Sequence, residues 1–435
     1  MIGRGERTRV EQNNFVLRGT LVYSASPQEL NTIEGGYLVS VEGRIAGAYR
    51  ELPAIYKTLP LTDFGDRLIL PGFTDLHTHA PQFAFRGLGM DKELLEWLDS
   101  YAFPEETRYE DLEYARQGYG YFTEALRRSV TTRAVIFATI HTPATILLMD
   151  LLEKSGLITL VGRVNMDRNA PEGLLEESAE QSAEDTILWI GEARKRFTNT
   201  KPIITPRFIP SCTDELLMKL GNIRKVYNMP VQSHLSENYG EIELVRKLCP
   251  WAGSYGEAYD RFGLFGGDGQ PTVMAHCVHS SKREIALMKR QGVFIAHCPQ
   301  SNTNIASGIA PVRTYLDEGL RIGLGSDVAG GSSENMCRAV ADAIQVSKLR
   351  WRLKDQSLRP LTLAEGFYLA TEGGGAYFGK VGSFKEGYEM DAVIMDDANI
   401  QRPRGLSPGE RLESLIYLGD YRNVVHKFVA GKPLF

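Results

Sequence analysis

The chain has little of what disulfide-rich, membrane-spanning or nucleic-acid-binding proteins need. Its 5 cysteines are scattered without paired spacing, which suits a reducing compartment better than a disulfide framework. No apolar run approaches the roughly 18 residues of a membrane-spanning segment. Residues 1–7 (MIGRGER) also lack the apolar core of a signal peptide. We therefore expect a cytoplasmic protein without a membrane partner.

A basic surface is missing as well. The 49 Lys and Arg residues are outnumbered by 54 Asp and Glu residues, so the net charge is −5. Broad nucleic-acid-binding surfaces are usually basic, and no nucleic-acid partner is expected here. The rest of the composition, 43% hydrophobic and 24% charged residues over 435 positions, is typical of a globular enzyme.

Apolar, β-branched runs alternate with helix-like segments through the middle of the chain. The eight runs are residues 68–73, 131–140, 158–164, 202–208, 230–234, 272–276, 293–297 and 322–327. This alternation predicts an α/β fold, a (β/α)8 TIM-type barrel, although a doubly wound open sheet alternates in the same way. Strand-like segments at both ends predict a small β-sandwich domain of residues 1–67 and 380–435 beside a catalytic barrel of residues 68–379.

Local signals mark several helix ends. Residues 143–156 have proline near the start and glycine after the end, as helices prefer. Residues 281–292 begin with a capping serine and finish on glycine, and Thr213 is a candidate cap for a helix over 214–227.

Chemically active side chains stand where the predicted strands end. They are His77, His79, Arg207, His234, His276 and Asp327. His77 and His79 are spaced by two, so both project from one face of a strand end. In a barrel the strand ends meet at one rim, where barrel enzymes carry their chemistry. The nitrogen and oxygen ligands of His77, His79, His234 and Asp327 suit one zinc ion, with iron as the next choice.

Each of these residues also has an ordinary structural interpretation. A lone histidine on a strand is more often a hydrogen-bonded core or surface residue, and His141, His279, His297 and His426 are interpreted in that way. An aspartate at a strand end is usually a turn or cap residue. Several such residues ending successive strands are hard to explain by packing, and they favour a metal site. No lysine ends the third or fourth run, which favours one metal ion over a carbamate-bridged pair.

Glu237 follows His234 by three residues. It is either a first-turn glutamate favoured by the helix dipole or a proton shuttle beside an activated water, which hydrolysis needs. The predicted metal site favours the shuttle.

Four further residues are candidates for holding a polar, planar substrate. Gln82 offers a donor and an acceptor, and Arg207 offers a fork of donors. Phe83 and Phe208 follow them directly and are candidates for walls against an aromatic ligand, although phenylalanine is more often a core residue.

Motifs along most of the chain resemble the amidohydrolase superfamily and, more narrowly, its guanine deaminase family. They are PGFTDLHTHAPQ at 71–82, LLEWL at 94–98, FATIHT at 137–142, KPIITPRF at 201–208, QSHLSEN at 232–238, VMAH at 273–276, AHCPQSN at 296–302, GSDVAGG at 325–331 and YLGDYRN at 417–423. The histidine and aspartate motifs are shared by the superfamily. The LLEWL and PRF segments and Gln82 are more specific to guanine deaminases.

The resemblance implies hydrolytic deamination of guanine to xanthine and ammonia by a zinc-activated water, a step of purine catabolism or salvage. The zinc ligands would be His77, His79, His234 and Asp327. The catalytic residues would be Glu237 with His276 and Asp327, where His276 lies against the activated water. The substrate contacts would come from Gln82, Phe83, Arg207 and Phe208, with His234 and Asp327. The resemblance also implies a homodimer with one zinc ion per subunit.

Other functions stay open on these residues. The nearest alternative is another deaminase or dechlorinase of the superfamily, acting on a different purine, a pterin or a triazine. A catalytically inactive scaffold that binds a protein partner is a second, and a nucleic-acid editor that acts on a flipped base is a third. The full set of ligand and shuttle positions disfavours the scaffold, and the acidic net charge disfavours the editor.

Overall fold

The computed structural model describes residues 13–267 and 269–435. The predicted absence of a signal core in residues 1–7, and the first 12 residues of the predicted small β domain, lie outside this part. The architecture is α/β with parallel central strands, as the alternation of strands and helices predicted.

Strands from both ends of the chain share one seven-stranded sheet. In spatial order they are Lys432–Pro433, Val424–Val429, Ala392–Met395, Leu61–Pro71, Phe15–Ser26, Glu29–Val41 and Arg44–Tyr49. The hairpin between Glu29–Val41 and Arg44–Tyr49 turns at Glu42 and Gly43, whose φ angles of 53° and 75° are those of a tight hairpin turn.

The central strands are short, parallel and buried. One sheet contains Phe73–His79, Thr131–Phe137, Ile158–Gly162 and Thr200–Pro202, a two-stranded sheet contains Val164–Asn165 and Thr205–Pro206, and another contains Val231–Leu235, Thr272–His276, Phe294–His297 and Arg321–Leu324. A bridge between Ile204 and Val231 joins the second and third groups. The Asp327 amide donates to the His77 carbonyl oxygen at 2.8 Å, which ties the last strand to the first.

Three of the predicted apolar runs are each divided between sheets. The run 158–164 is one of them, because Ile158–Gly162 and Val164–Asn165 belong to different sheets. The run 68–73 begins in Leu61–Pro71 of the terminal sheet, and the chain enters the central sheet only at Phe73. It crosses at Gly72, where a Cβ atom would lie 2.2 Å from Thr132 Oγ1. The boundary predicted after residue 67 therefore falls inside a strand. The run 202–208 is divided too, because Pro202 and Pro206 have no amide hydrogen to continue a ladder.

Helices surround the central strands. The α-helices are Leu94–Trp97, Phe103–Thr107, Leu112–Arg128, Thr142–Ser155, Ala179–Arg196, Asp214–Tyr227, Tyr239–Leu248, Tyr255–Asp260, Lys282–Gln291, Pro299–Asn304, Val312–Asp317, Met336–Leu353, Leu363–Tyr368 and Pro408–Leu418. Short 3₁₀ turns are Ala54–Tyr56, Ala80–Phe85, Arg108–Glu110, Ile209–Ser211, Ala376–Phe378 and Tyr421–Asn423, and π-helical turns are Leu98–Ala102 and Leu369–Gly373.

The predicted helix ends are confirmed. Thr213 Oγ1 accepts a hydrogen bond from the Leu216 amide at 3.2 Å, and Ser281 Oγ accepts one from the Glu284 amide at 3.2 Å. Gly156 ends its helix with φ of 80°. Within the described ranges, no helix combines the length and apolar character that crossing a bilayer requires. All five cysteines are buried and free.

Candidate functional site

The predicted polar residues meet at one end of the central strands. They stand around a cavity lined by His79, Gln82, Leu94, Trp97, Leu98, Arg207, Phe208, His234, Glu237, His276, Ile305 and Asp327. His79 lines it and His77 lies against His79, because both stand at the end of Phe73–His79, where alternate side chains share a face. Parallel strands bring His234 and His276 to the same edge.

Three imidazole nitrogens and one carboxylate oxygen converge beneath this cavity. His79 Nε2 lies 3.2 Å from His77 Nε2 and 3.2 Å from His234 Nε2. Asp327 Oδ1 lies 3.1 Å from His77 Nε2 and 3.5 Å from His79 Nε2. His77, His79 and His234 thus form one group of possible metal ligands, and the Asp327 carboxylate lies beside two of them.

The donor chemistry of this cluster fits a cation. His234 Nδ1 donates to the Arg207 carbonyl oxygen at 2.6 Å, so a neutral His234 presents a bare Nε2 to His79. Burial, followed by the charge of His77, lowers the pKa of both His79 and His234 well below the ordinary value. Neutral imidazoles whose lone pairs face one another beside a carboxylate are the ligand set that zinc takes in proteins.

A second group of possible ligands overlaps the first. His77, His276, Cys298 and Asp327 also offer atoms within 4.8 Å of one another. Cys298 was not predicted as a ligand, and its Sγ lies 3.4 Å from the Ala296 carbonyl oxygen, to which a thiol donates. The predicted ligand set shares His77 and Asp327 with this group and differs from it in His79 and His234.

Asp75 connects the two strands that carry His77 and Asp327. Its Oδ1 accepts hydrogen bonds from the His77 amide at 3.1 Å and the Ser326 amide at 3.0 Å. His276 and Asp327 have φ angles of 70° and 47°, which is rare for residues other than glycine. Such strain persists only where the surroundings hold it, and it is common at functional sites.

Glu237 and His276 form the next layer. His276 Nε2 lies 3.3 Å from Glu237 Oε2 and 3.8 Å from Asp327 Oδ2. His276 Nδ1 lies 2.9 Å from Asn302 Oδ1, and an amide oxygen can only accept, so Nδ1 carries the proton. Ser307 Oγ donates to Glu237 Oε1 at 3.2 Å. Neither Asn302 nor Ser307 was singled out by the sequence.

The pKa shifts of Glu237 and His276 favour the neutral form of both side chains. Burial raises the pKa of Glu237 well above its ordinary value, and the charges of Glu241 and Asp327 raise it further. Burial lowers the pKa of His276 to about 4. A protonated Glu237 can therefore donate to the unprotonated Nε2 of His276.

The opposite side of the cavity is built around Glu106, a residue that the sequence did not indicate. Gln82 Nε2 donates to Glu106 Oε1 at 2.7 Å. Arg207 Nη2 donates to the same oxygen at 3.0 Å and its Nη1 to Glu106 Oε2. The Arg207 guanidinium lies 5.0 Å from the centre of the Phe103 ring.

The structure corrects one predicted substrate contact. Phe83 is not among the residues that line the cavity; its ring packs 5.8 Å from the Phe122 ring and lies 3.5 Å from the Arg86 guanidinium. Consecutive residues of the turn Ala80–Phe85 point in different directions, so Phe83 does not follow Gln82 into the site. Phe208 does line it.

The four remaining histidines lie outside this cavity. His279 Nε2 lies 2.7 Å from the Ser307 carbonyl oxygen and His426 Nδ1 lies 3.1 Å from the Phe435 carbonyl oxygen, so both are hydrogen-bonded as predicted. His297 differs: it is buried, and among the described residues neither ring nitrogen has a partner.

Comparison with known proteins gives one consistent result. The sequence profile of the Amidohydrolase family matches residues 68–434. A guanine deaminase of Dictyostelium discoideum is 39% identical over 86% of this chain and 83% of its own length, and that of Homo sapiens is 36% identical over 96% of each. A crystal structure of guanine deaminase from C. acetobutylicum with bound guanine in the active site is 45% identical, covers 97% of this chain and 100% of that one, and superimposes with a TM-score of 0.94.

Proposed function

The chain belongs to the amidohydrolase family and, within it, to the guanine deaminases, which are hydrolases, and we propose that it converts guanine and water to xanthine and ammonia in purine catabolism or salvage. One observation carries the proposal. Three imidazoles and a carboxylate cluster at one end of the central strands, with Glu237 and His276 beside them in the same cavity.

The residues that would hold the metal are His77, His79, His234 and Asp327, with one zinc ion per subunit and ferrous iron as the alternative. Their nitrogen and oxygen donors support this assignment, as do the four contacts of 3.1 to 3.5 Å that link these residues. A zinc ion in such a site supplies a Lewis acid that lowers the pKa of water from 15.7 towards about 7 and so provides a nucleophile at neutral pH.

Glu237 is proposed to move the protons. Starting protonated, it would give its proton to the ring nitrogen beside the amino-bearing carbon and take one from the attacking water. It would then pass that proton to the departing amine and recover the last proton from the hydroxyl group left on the carbon, so both protons of water are transferred. Its Oε1 is held by Ser307, while Oε2 faces His276, so the carboxyl group has a fixed direction. His276 Nε2 lies between Glu237 and Asp327 and would orient the water through a hydrogen bond.

Gln82, Arg207 and Phe208 are proposed to hold guanine, with His234 and Asp327 beside the reacting carbon. All five line the cavity. Gln82 presents a donor and an acceptor to the ring edge, and Arg207 presents donors only. A site with fixed polar groups strongly rejects ligands that leave those groups unpaired.

The finer points of the fold are part of the proposal. We propose a closed (β/α)8 barrel, supported by the Ile204 bridge and by the bond from the Asp327 amide to the His77 oxygen. We also propose the small β-sandwich domain from both termini, supported by the shared seven-stranded sheet, with its boundary moved to Gly72. The homodimer rests on the family resemblance, and the cytoplasmic location on the five free cysteines.

Ultraviolet monitoring of guanine conversion, with and without a chelator, tests the function. We expect guanine to give xanthine with one equivalent of ammonia, and the chelated protein to lose this activity until zinc is restored. Adenine, pterin and triazine substrates run in parallel test the alternatives. Turnover of one of them in preference to guanine, or turnover that the chelator leaves unchanged, would contradict the proposal.

A further inference from the structure

The side-chain amide of Gln82 has only one orientation that satisfies its neighbours. Its Nε2 lies 2.7 Å from Glu106 Oε1, and its Oε1 lies 3.0 Å from the Ala329 amide nitrogen. Glu106 can only accept and the Ala329 amide can only donate, so the identity of each Gln82 atom is fixed by its partner. The amide retains one free N–H on Nε2 and one free lone pair on Oε1.

Rotation of this amide by half a turn would break both contacts. The Gln82 oxygen would face the Glu106 carboxylate, and its NH₂ group would face the Ala329 N–H. Gln82 and Glu106 are each 1% exposed, so water cannot replace the lost partners. Buried polar groups without partners are strongly disfavoured.

Glu106 is itself held in place. Arg207 donates to both of its carboxylate oxygens, and this pair is buried with side-chain exposures of 3% and 1%. Bidentate pairing of this kind fixes geometry as well as charge. The helix Phe103–Thr107 supplies both Glu106 and the Phe103 ring that lies beneath the Arg207 guanidinium.

We propose that Glu106 is a specificity-determining residue, which locks the Gln82 amide in the orientation that reads an oxo group beside a ring N–H. This inference rests on the proposed function, in which Gln82 contacts the purine edge. In the locked state, Nε2 donates to the 6-oxo group and Oε1 accepts from the N1–H of a 6-oxopurine. A 6-aminopurine has the reverse polarity at these two positions, and would require the rotated amide that Glu106 forbids.

A pair of substrates isolates this effect. Guanine and 2,6-diaminopurine carry the same 2-amino leaving group and differ at position 6 and N1. The ratio of their kcat/KM values, measured by ammonia release, reports reading of that edge. Because 2,6-diaminopurine also has a 6-amino group, turnover is assigned by product: xanthine from guanine and isoguanine from 2,6-diaminopurine mark loss of the 2-amino group. We expect Glu106→Gln, which lets the two amides rotate together, to lower the ratio at least tenfold, whereas Glu105→Gln leaves it unchanged. Glu105 is the neighbouring glutamate, and its Oε1 accepts from the Tyr114 hydroxyl instead.

A second variant and a binding measurement complete the test. Glu106→Asp keeps a negative charge for Arg207 but is too short to hold both partners, so its ratio should also fall. In a Gln82→Ala background, Glu106→Gln should have no further effect on the ratio, because the residue that it positions is gone. Calorimetry with hypoxanthine and adenine, neither of which has a 2-amino group to lose, should show the same loss of preference in Glu106→Gln.

The outcomes distinguish the positioning of Gln82 by Glu106 from the proposed deamination of guanine. If the wild type releases no ammonia from guanine, the proposed function fails, and the calorimetric comparison still tests the lock. An equal loss for both substrates in Glu106→Gln and Glu106→Asp would make Glu106 a purely structural residue. Equal binding of adenine and hypoxanthine by the wild type would also overturn the inference.

Discussion

The two sides of the cavity differ in whether a cation pairs with their buried carboxyl groups. On the substrate side, the charge of Glu106 is matched by Arg207 and its oxygens are filled by three donor groups. On the other side, Glu237 and Glu241 are buried, and within the described ranges no lysine or arginine pairs with either. One side pairs its carboxylate with a cation, whereas the other leaves two carboxyl groups without one, as the proposed proton transfer requires.

Replacing Glu237, the proposed proton carrier, should have the greatest effect on turnover. Glu237→Gln keeps the shape and the Ser307 contact but cannot exchange a proton. General acid–base catalysis contributes about 10² to 10⁴ in rate, so we expect kcat for guanine to fall by that range. Zinc content and thermal unfolding should match the wild type. Normal turnover by this variant would show that Glu237 is not the shuttle.

A second variant leaves the buried Glu106 carboxylate without its cation. Arg207→Met removes the partner of Glu106, and breaking a buried pair costs about 3–5 kcal/mol. Urea unfolding at pH 7 should show a loss of this size. Arg18→Met is the matched control, because Arg18 pairs with Asp63 at 2.8 Å on the surface, where such pairs contribute little to stability. Similar losses of unfolding free energy in Arg207→Met and Arg18→Met would contradict the difference expected between a buried and an exposed ion pair.

The buried carboxyl group of Glu241 should make the unfolding free energy depend on pH. Burial raises its pKa to about 7 from 4.5, so the folded state binds this proton more tightly than the unfolded state. Its contribution to stability is full below pH 4.5 and is lost as the pH rises through 7. Relative to Glu241→Gln, the wild type should lose about 3 kcal/mol of unfolding free energy across this window. If the difference in unfolding free energy between wild type and Glu241→Gln stays constant with pH, the raised pKa of a Glu241 without a cationic partner is contradicted.

The smallest expected effect concerns the direction of the Glu237 carboxyl group. Ser307→Ala removes one hydrogen bond to Oε1, worth about 1 kcal/mol. We expect kcat to fall about fivefold with little change in KM, and Ser307→Thr to restore it because the hydroxyl returns. A change in KM alone, or no rescue by threonine, would separate Ser307 from the shuttle.

Sequence patterns predicted the reacting side better than the substrate side. His77, His79, His234 and Asp327 each end or follow an apolar run, and the period of two in a strand is enough to place such residues together. Glu106 gave no comparable signal. It stands beside Glu105 in a helix of five residues where both glutamates are buried, and only the tertiary fold decides that Glu106 meets Gln82 and Arg207.

Two other predictions failed for related reasons. Phe83 adjoins Gln82 in the chain, but neighbours in a 3₁₀ turn do not share a face. The run 68–73 looked like one strand, because apolar residues continue unbroken where the chain passes from one sheet to the next at Gly72. Sheet membership depends on distant strands and leaves no mark in a local pattern.

Metal analysis of the purified protein tests most directly whether His77, His79, His234 and Asp327 share one ion. We expect about one zinc ion per chain in the wild type and in Glu237→Gln, and almost none in His234→Ala or Asp327→Ala. Retention of a full equivalent by His234→Ala and Asp327→Ala, or an absence of metal from an active wild-type enzyme, would contradict the account.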